Sequence, residues 1–545
     1  MTGEQKNKKT KRISVVLYTF YLLLLGVSVL IILRLAWIQL FYNPDPKIEN
    51  ALTPSNTLNL IEPARGNIID SEGRLLAISC PSYQFYMDCT VRKDINTEEE
   101  ETKWLKKAAQ LSQGLADEFG DRTADQYLKL IKDSRANGKK YVKIGHPVDR
   151  NGYNRIIKLP LFNEGRYYSG MQFEQENVRE YPYGKLARRT IGFVRNNKSN
   201  VKNTHIGLEG KYDYILHGKE GREWLRVSDY GRVRNNDSTF TKAEDGKDLR
   251  TTINIDYQEI ADKALRSGIE PQDDVEGGCL VLMEVKTGAI RAMVNLIRDQ
   301  KSGLFEEIQN MAIGRKAEPG SVFKTVTLMS VLEDGYIKSL DETLPTNHGV
   351  VPDGGIKPDH HIVDWERNHK TNRISVIDGF KISSNYVFGR LAVENYSRKP
   401  ERFVENIYSY KLGEAFNFDL EGMETPTIPD PKNKAIWSKS TLATMGYGYA
   451  TGETPMHILT FYNAIANKGR MMKPYLVESI EEHGMVVERK GPSVLNASIC
   501  KRSVADTLTR ALRAVTEEGT ARRLKDAKSS VAGKTGTSFA TFENG

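Results

Sequence analysis

The sequence predicts an α+β protein that begins with a single membrane-spanning helix. Three observations lead to this fold class. A charge-free apolar run lies near the N-terminus, short alternating runs separated by turn residues fill residues 61–245, and a hairpin pattern followed by long helical patterns fills residues 246–545. Hairpin strands beside segments of helical periodicity favour helices packed on an antiparallel sheet.

The composition of the 545 residues predicts several globular domains. At about 100–200 residues per domain, this length predicts about three. The 44 Gly and 20 Pro are too few for a collagenous or largely disordered chain. Four cysteines without a C-x-x-C pair exclude a disulfide scaffold, a zinc ribbon and a thioredoxin-type motif. These cysteines are Cys80, Cys89, Cys279 and Cys500.

The N-terminus predicts an uncleaved membrane anchor. Residues 1–12 carry five Lys or Arg against one Glu, and residues 13–33 form a run of 21 without a charge. A helix of this length crosses a bilayer core of about 30 Å, and no small-residue cleavage site follows it, as a secretory signal requires. The basic tail predicts a cytoplasmic N-terminus and about 500 residues on the far side of the membrane. Because the tail charges are topology signals, the net charge of +8 gives little support to a nucleic-acid partner.

The chain divides into four predicted regions. Residues 1–34 form the tail and transmembrane helix, and residues 35–60 form a linker without periodicity. Residues 61–245 form a non-catalytic domain, and residues 246–545 form the domain with the candidate chemistry.

Local patterns predict individual elements within the two domains. Thr97 with Glu100 predicts a capping box at the start of a helix. Residues 248–256 alternate like a strand, residues 257–267 have a helical period, and residues 278–294 predict a hairpin around a Lys-Thr-Gly turn.

Three short motifs of the second domain carry candidate chemistry. They are Ser321-Val-Phe-Lys324, Ser383-Ser-Asn385 and Lys534-Thr-Gly536. Patterns of the first and third type recur elsewhere in the chain, whereas the S-x-N pattern occurs once. The prediction of an active site therefore depends on the order and context of the three motifs.

The first motif predicts a serine nucleophile with a lysine base. Ser321 opens an apolar helical run, and Lys324 lies three residues on, so both side chains share a face about 5–6 Å apart at Cβ. A serine hydroxyl becomes nucleophilic when a base takes its proton. Lysine can be that base if burial or a neighbouring cation lowers its pKa. The two apolar residues between them fit this requirement, and the helix N-terminus favours negative charge near Ser321.

The third motif predicts an edge strand that binds an extended peptide. Lys534 lies among small residues, and Gly536 permits a close backbone approach. Such a strand pairs with a peptide substrate by β-addition.

These motifs resemble those of the penicillin-interacting serine acyltransferases, although the central motif is Ser-Ser-Asn where class A β-lactamases have Ser-Asp-Asn. Residues 65–77, 179–187 and 207–221 resemble the three pedestal motifs of the class B penicillin-binding proteins. Residues 446–448 and 467–469 match the transpeptidase domain of that family. The resemblance covers almost the whole chain. It implies a mixed α/β, dimerisation-type pedestal followed by a serine β-lactamase-like transpeptidase domain, and the activity of a peptidoglycan D,D-transpeptidase.

The resemblance also implies a role for each motif residue. Ser321 attacks the penultimate D-Ala carbonyl of a stem peptide after Lys324 takes its proton, and Ser383 protonates the leaving D-Ala. Asn385 orients Lys324 and the substrate amide. The implied carboxylate-binding and substrate-strand residues are Lys534, Thr535, Gly536 and Thr537. The implied oxyanion hole consists of the backbone N–H groups of Ser321 and Thr537.

No cofactor or metal is implied by this chemistry. A cluster of Asp359, His360 and His361 with Asp364 is interpreted as a polar loop ahead of the Ser383 helix rather than as a metal site.

The resemblance implies partners and a location. The partners are stem peptides ending in D-Ala-D-Ala, β-lactams that acylate Ser321, a membrane-embedded glycosyltransferase, and division or elongation proteins. The protein is expected in the cytoplasmic (inner) membrane as a single-pass protein with a periplasmic catalytic domain. The short tail and Leu-rich span resemble the division type and favour septal wall synthesis, with elongation as the alternative.

Three other functions are disfavoured. A serine β-lactamase needs an efficient deacylating base, and no Glu-x-x-Leu-Asn lies between Ser383 and Lys534. A β-lactam sensor carries several membrane spans, and a bifunctional glycosyltransferase would need an acid motif that residues 61–245 do not show. Nine residues follow Gly536, where the family fold has further strands and a closing helix, so we expect the natural protein to be longer.

Overall fold

The chain forms two compact units in the computed structural model. One comprises Met1–Glu62 with Glu220–Ala243, and the other comprises Pro63–Lys219 with Glu244–Gly545. The structure describes residues 3–41, 55–194, 206–228, 231–234, 240–350 and 359–538.

Strands and helices of the described residues are numbered here in chain order. The strands are β1 Ser55–Ile61, β2 Ile68–Ile69, β3 Leu75–Met87, β4 Val142–Val148, β5 Met171–Glu180, β6 Gly221–Ser228, β7 Gly231–Arg234, β8 Asp248–Thr251, β9 Gly277–Met283, β10 Ile290–Arg298, β11 Phe305–Glu306, β12 Thr343–Pro345, β13 Arg373–Ser375, β14 Met471–Met472, β15 Val477–Glu482, β16 Met485–Arg489 and β17 Val494–Asn496. The α-helices are α1 Gly3–Phe41, α2 Glu98–Phe119, α3 Ala124–Ala136, α4 Arg150–Ile156, α5 Arg166–Ser169, α6 Arg188–Ile191, α7 Gly207–Lys211, α8 Asp213–Leu216, α9 Ile255–Ile269, α10 Met311–Gly314, α11 Lys324–Glu333, α12 His360–His369, α13 Val376–Lys381, α14 Asn385–Tyr396, α15 Pro400–Ser409, α16 Thr441–Gly446, α17 Pro455–Ala466 and α18 Arg502–Glu517. Short 3₁₀ turns span Phe162–Glu164, Gly320–Phe323, Asn347–Gly349 and Arg522–Leu524.

The first unit contains the apolar helix and a small sheet. Within α1, Ser14–Leu40 is long and apolar enough to cross a membrane, which fits the predicted anchor. The helix continues to Phe41 and β1 begins at Ser55, so both ends of the predicted linker of residues 35–60 have regular structure. Strand β1 pairs antiparallel with β6, and β6 pairs antiparallel with β7.

The second unit contains a seven-stranded sheet. Its order is β16-β15-β8-β2-β3-β4, and β5 also pairs with β3. The β2–β8 pair is parallel and the other pairs are antiparallel. The sheet combines strands from both sides of residue 245, so the predicted boundary there falls between strands that hydrogen-bond to one another. The domain limits themselves stay a prediction.

A helical core surrounds α11. Every residue from Lys324 to Val331 is buried, and the apolar ones pack with buried residues of α13, α14, α17 and α18. A helix whose residues are buried on every face lies in the interior of its domain. The candidate nucleophile therefore precedes a buried helix rather than a surface one.

Predictions from near neighbours along the chain are confirmed. Thr97 and Glu100 form the reciprocal capping box of α2. The hairpin predicted at residues 278–294 is the antiparallel β9–β10 pair, and the predicted helix at 257–267 lies within α9.

Candidate active site

Ser321 lies in the 3₁₀ turn Gly320–Phe323 that leads directly into α11. Gly320 has φ +59°, and a Cβ there would lie 2.3 Å from the Thr537 carbonyl oxygen. Its N–H donates to the Gly448 carbonyl at 2.8 Å. Glycine is thus required at this position because two other segments pack against the backbone of the turn. The close approach brings the third motif beside Ser321.

Lys324 lies at the centre of the hydrogen bonds in the site. Its Nζ is 3.0 Å from Ser321 Oγ, 2.5 Å from the Ser383 carbonyl oxygen and 3.2 Å from Ser383 Oγ. The side chain is fully buried. Burial lowers the pKa of Lys324 well below its ordinary value, Lys534 lowers it further, and Asp359 opposes the change. A neutral amine at this distance can accept the hydroxyl proton of Ser321.

Ser383 connects Lys324 to a second lysine. Lys534 Nζ donates to Ser383 Oγ at 2.8 Å and to the Thr535 carbonyl at 3.0 Å. Burial lowers the pKa of Lys534 to about 8. The two lysines therefore differ, because Lys534 is mostly cationic at neutral pH whereas Lys324 is driven toward the neutral form. Ser383 Oγ lies between them and can pass a proton.

Asn385 begins α14, one residue after its N-cap Ser384. In the described part of the chain no hydrogen bond joins the Asn385 amide to another residue, and the hydrogen bonds of Lys324 go to Ser321 and Ser383 instead. The role of Asn385 toward Lys324 stays a prediction. Its amide is available for a substrate.

The residues after Lys534 line the approach to Ser321. Thr535 Oγ1 is 2.6 Å from Thr520 Oγ1. A Cβ on Gly536 would lie 2.9 Å from Val322 Cγ1. The Thr537 carbonyl accepts a hydrogen bond from the Tyr449 hydroxyl at 3.3 Å. Thr535, Gly536 and Thr537 are all exposed, as a peptide-binding edge requires.

The predicted edge strand at Lys534 is wrong for the described residues. Residues 531–538 form no β-ladder there. Their backbone bonds go to α18 instead, since Gly533 N–H donates to the Leu512 carbonyl at 3.2 Å and the Val531 carbonyl accepts from Thr516 Oγ1 at 2.5 Å. A strand needs a neighbouring strand, and a helix is the neighbour here.

Asp359 lies beside the candidate site, a placement that the sequence does not predict. It is the N-cap of α12, and His360 and His361 form the first turn of that helix, so the predicted polar loop is wrong at these two positions. The sequence contains a signal for the start of this helix, because aspartate is a favoured N-cap residue. The ligand atoms of the three side chains lie within 4.8 Å of one another. However, the Asp359 carboxylate already accepts hydrogen bonds from the Ser384 hydroxyl, the Tyr386 N–H and the His361 N–H.

A largely apolar cavity of about 500 Å³ borders Lys534 and Val322. Glu453 lies in its wall, 3% exposed. Neither carboxylate oxygen of Glu453 has a hydrogen-bond partner among the described residues. Burial raises the pKa of Glu453 to about 9. Ser321, Lys324 and Ser383 are not among the lining residues, so the cavity lies beside the candidate site rather than within it.

Two family models match the chain. Residues 278–544 match the penicillin-binding protein transpeptidase domain, and residues 60–251 match the penicillin-binding protein dimerisation domain. The chain is 26% identical over 458 residues to the peptidoglycan D,D-transpeptidase FtsI of Escherichia coli K12, covering 82% of this chain and 70% of that relative.

Solved structures show the same fold. Penicillin-binding protein 2X from Streptococcus thermophilus superimposes with a TM-score of 0.66 at 20% identity, covering 84% of this chain and 66% of that one. A structure described as coordinating polymerisation and crosslinking in a peptidoglycan synthase complex superimposes with a TM-score of 0.63 at 19% identity, covering 95% and 88%. With a dimerisation domain followed by a transpeptidase domain, this chain belongs to the class B penicillin-binding proteins.

Proposed function

We propose that this protein is a peptidoglycan D,D-transpeptidase that cross-links stem peptides through an acyl-serine intermediate. The observation that carries the proposal is the buried Lys324 amine, 3.0 Å from Ser321 Oγ and 3.2 Å from Ser383 Oγ. Its lowered pKa leaves an amine able to take a proton at neutral pH. Serine nucleophile, base and proton relay thus share one hydrogen-bonded group around the buried Lys324 amine.

The acylation step follows from these positions. Lys324 Nζ takes the Ser321 hydroxyl proton as Oγ attacks the carbonyl carbon of the penultimate D-Ala. The N–H groups of Ser321 and Thr537 would stabilise the tetrahedral oxyanion, where losing one donor typically costs about 3–4 kcal/mol. The C–N bond to the terminal D-Ala then breaks, and the proton on Lys324 reaches the leaving amine through Ser383 Oγ.

Deacylation uses the same groups in reverse. An amine of a neighbouring stem peptide attacks the acyl-serine carbonyl and gives its proton, through Ser383, to Lys324. The new amide forms as the ester bond breaks, and Ser321 Oγ takes the proton back. Lys534, cationic below about pH 8, is suited to hold the terminal carboxylate of the donor peptide together with Thr535.

We also propose a septal role for the protein and an N-terminus inside the cell. The basic tail of residues 1–12 before the span supports this orientation. Similarity to FtsI supports the division role. A membrane-embedded glycosyltransferase is the proposed partner, because one structural relative belongs to a complex that couples polymerisation to crosslinking.

The test of the activity is a covalent adduct with benzylpenicillin. We expect intact and peptide mass spectrometry of the purified full chain to show a long-lived adduct on the Ser321 peptide, absent in Ser321→Ala. Such an adduct forms because the β-lactam carbonyl replaces the D-Ala carbonyl and its leaving group stays tethered. An adduct that disappears within seconds would point to a β-lactamase instead. An adduct on any residue other than Ser321 would overturn the assignment.

A further inference from the structure

We propose that Asp359 is a positioning residue that holds the Ser383–Asn385 loop in the geometry Lys324 needs. This inference rests on the proposed function, because it assigns Asp359 to the same acylation reaction.

The Asp359 carboxylate joins two helix starts. It is 8% exposed. One oxygen accepts the Ser384 hydroxyl at 2.6 Å and the Tyr386 N–H at 3.0 Å. The other accepts the His361 N–H at 3.0 Å. A single buried carboxylate thereby fixes the first turn of α12 to the first turn of α14, across 25 positions of the sequence.

The backbone at Ser383, next to the residue that donates to Asp359, needs such support. Ser383 has φ +57°, a left-handed conformation that a non-glycine residue adopts at an energetic cost. A strained residue persists where its surroundings over-determine it. On one side the Ser383 N–H donates to Phe380 O at 3.1 Å. On the other side the anchor is Ser384, whose N–H donates to Gly379 O at 2.9 Å and whose hydroxyl donates to Asp359.

Ser383 presents both its carbonyl and its hydroxyl to Lys324. A rotation of the loop would therefore move two of the three Lys324 contacts at once. Displacing a catalytic group by about 1 Å can reduce the rate about 100-fold. The hydrogen bonds of Asp359 act on the reaction through this loop, since the described contacts of its carboxylate are with Ser384, Tyr386 and His361 and not with Ser321.

The same carboxylate also acts on Lys324 through its charge. Three groups near Lys324 influence the electrostatics of the site: Lys534 from residues 531–538, and Asp359 and His361 from the start of α12. Burial and Lys534 lower the pKa of Lys324, and Asp359 raises it. Removing the charge should therefore extend the neutral form of Lys324 to lower pH. Removing the Ser384 hydroxyl, which both donates to Asp359 and caps α14, should leave the pKa of Lys324 in place.

The experiment compares two substitutions in the full-length protein in detergent. Fluorescent-penicillin acylation rates are measured between pH 5 and pH 9 for the wild type, Asp359→Asn and Ser384→Ala. For Asp359→Asn we expect a maximal rate lower by about 10- to 100-fold and a rising limb shifted to lower pH. For Ser384→Ala we expect a smaller loss with the rising limb unmoved. Asp364→Asn, an exposed carboxylate on the same helix, should match the wild type.

Two results would overturn the inference. One is a wild-type rate for both Asp359→Asn and Ser384→Ala. The other is a lower rate for Asp359→Asn in proportion to a lower melting temperature, with the pH profile unmoved, which would indicate a purely structural residue.

Hydrogen exchange of peptides covering Ser383–Tyr386 separates this inference from the proposed function. Faster exchange in Asp359→Asn, but not in Asp364→Asn, would support the positioning role even if the wild type formed no adduct. Unchanged exchange would overturn the role while leaving the acyl-serine chemistry intact.

Discussion

Two regions of the second unit bury cations in opposite ways. In the pedestal half, Arg65 and Arg179 each place Nε 2.7 Å from a carboxylate oxygen of Glu209, which is 2% exposed. Burial lowers the pKa of Arg65, but Glu209 and Asp213 outweigh it and raise the pKa overall. In the catalytic half, no ion pair joins Lys324 to a carboxylate of the described residues, and its pKa falls well below normal.

The difference separates a structural cation from a reactive one. A buried charge with a hydrogen-bonded partner keeps its ordinary protonation and fixes geometry. A buried lysine whose hydrogen bonds go only to neutral groups has a lowered pKa and can act as a base. Glu209 therefore holds the pedestal segments together, whereas Lys324, the proposed base, has no carboxylate partner among the described residues.

The largest expected effect comes from removing the amine of Lys324. Lys324→Met keeps the volume of the side chain but removes the proposed base, so we expect benzylpenicillin acylation of Ser321 to fall by at least about 1,000-fold. Folding should be retained, because a buried amine without a carboxylate partner among the described residues is replaced by an apolar group of similar size. Acylation rates and melting curves measure both effects. Acylation within tenfold of the wild type would show that Lys324 is not the base.

The next effect tests the paired cations. Glu209→Gln leaves two buried guanidinium groups without their shared carboxylate, so we expect a loss of about 3–5 kcal/mol in the free energy of unfolding. Denaturant unfolding measures this loss. Acylation per folded molecule should be unchanged, since Glu209 makes no contact with the candidate site.

Asp213→Asn is the matched control for Glu209→Gln. It removes the other carboxylate on Arg65, but that side chain is 46% exposed, and exposed pairs contribute less than about 1 kcal/mol. Equal losses of unfolding free energy from Glu209→Gln and Asp213→Asn would show that burial does not decide how much each carboxylate stabilises the fold.

The sequence predicted those parts of both regions that depend on near neighbours. The capping box of Thr97, the β9–β10 hairpin and the pairing of Ser321 with Lys324 all follow from spacings of a few residues. The three-motif pattern also brought Ser383 and Lys534 into the candidate site, although they are 151 positions apart. The resemblance to a known family predicted this long-range proximity, which the spacing of nearby residues cannot predict.

What the sequence missed depends on distant contacts. The Ser384–Asp359 hydrogen bond and the left-handed φ of Ser383 arise from packing between helices that the sequence pattern does not encode. The sequence also could not predict that the described residues around Lys534 form no strand. A strand requires hydrogen bonds to a neighbouring strand, and here residues 531 and 533 bond to α18 instead. The burial of Glu453 likewise comes from the fold.

Glu453 provides the sharpest test of the comparison, because this buried acid has no hydrogen-bond partner among the described residues and lies outside the hydrogen-bonded group of Ser321, Lys324 and Ser383. Its pKa is raised to about 9 from an ordinary 4.5. The folded state therefore binds the proton more tightly than the unfolded state does. The resulting stabilisation is fully present below pH 4.5 and is lost as the pH rises toward 9.

Glu453→Gln should remove this pH dependence. From pH 5 to pH 8 we expect the wild type to lose up to about 4 kcal/mol of unfolding free energy through this group, and the variant to lose none of it. Glu401→Gln, at an exposed position, should retain the wild-type slope. Acylation should stay within about twofold of the wild type. A general acid or base must lie within hydrogen-bond reach of the group it serves, and the Glu453 carboxyl has no hydrogen-bond partner among the described residues. A parallel slope in Glu453→Gln would show that the group is solvated, and a large loss of acylation would place Glu453 in the chemistry of the site.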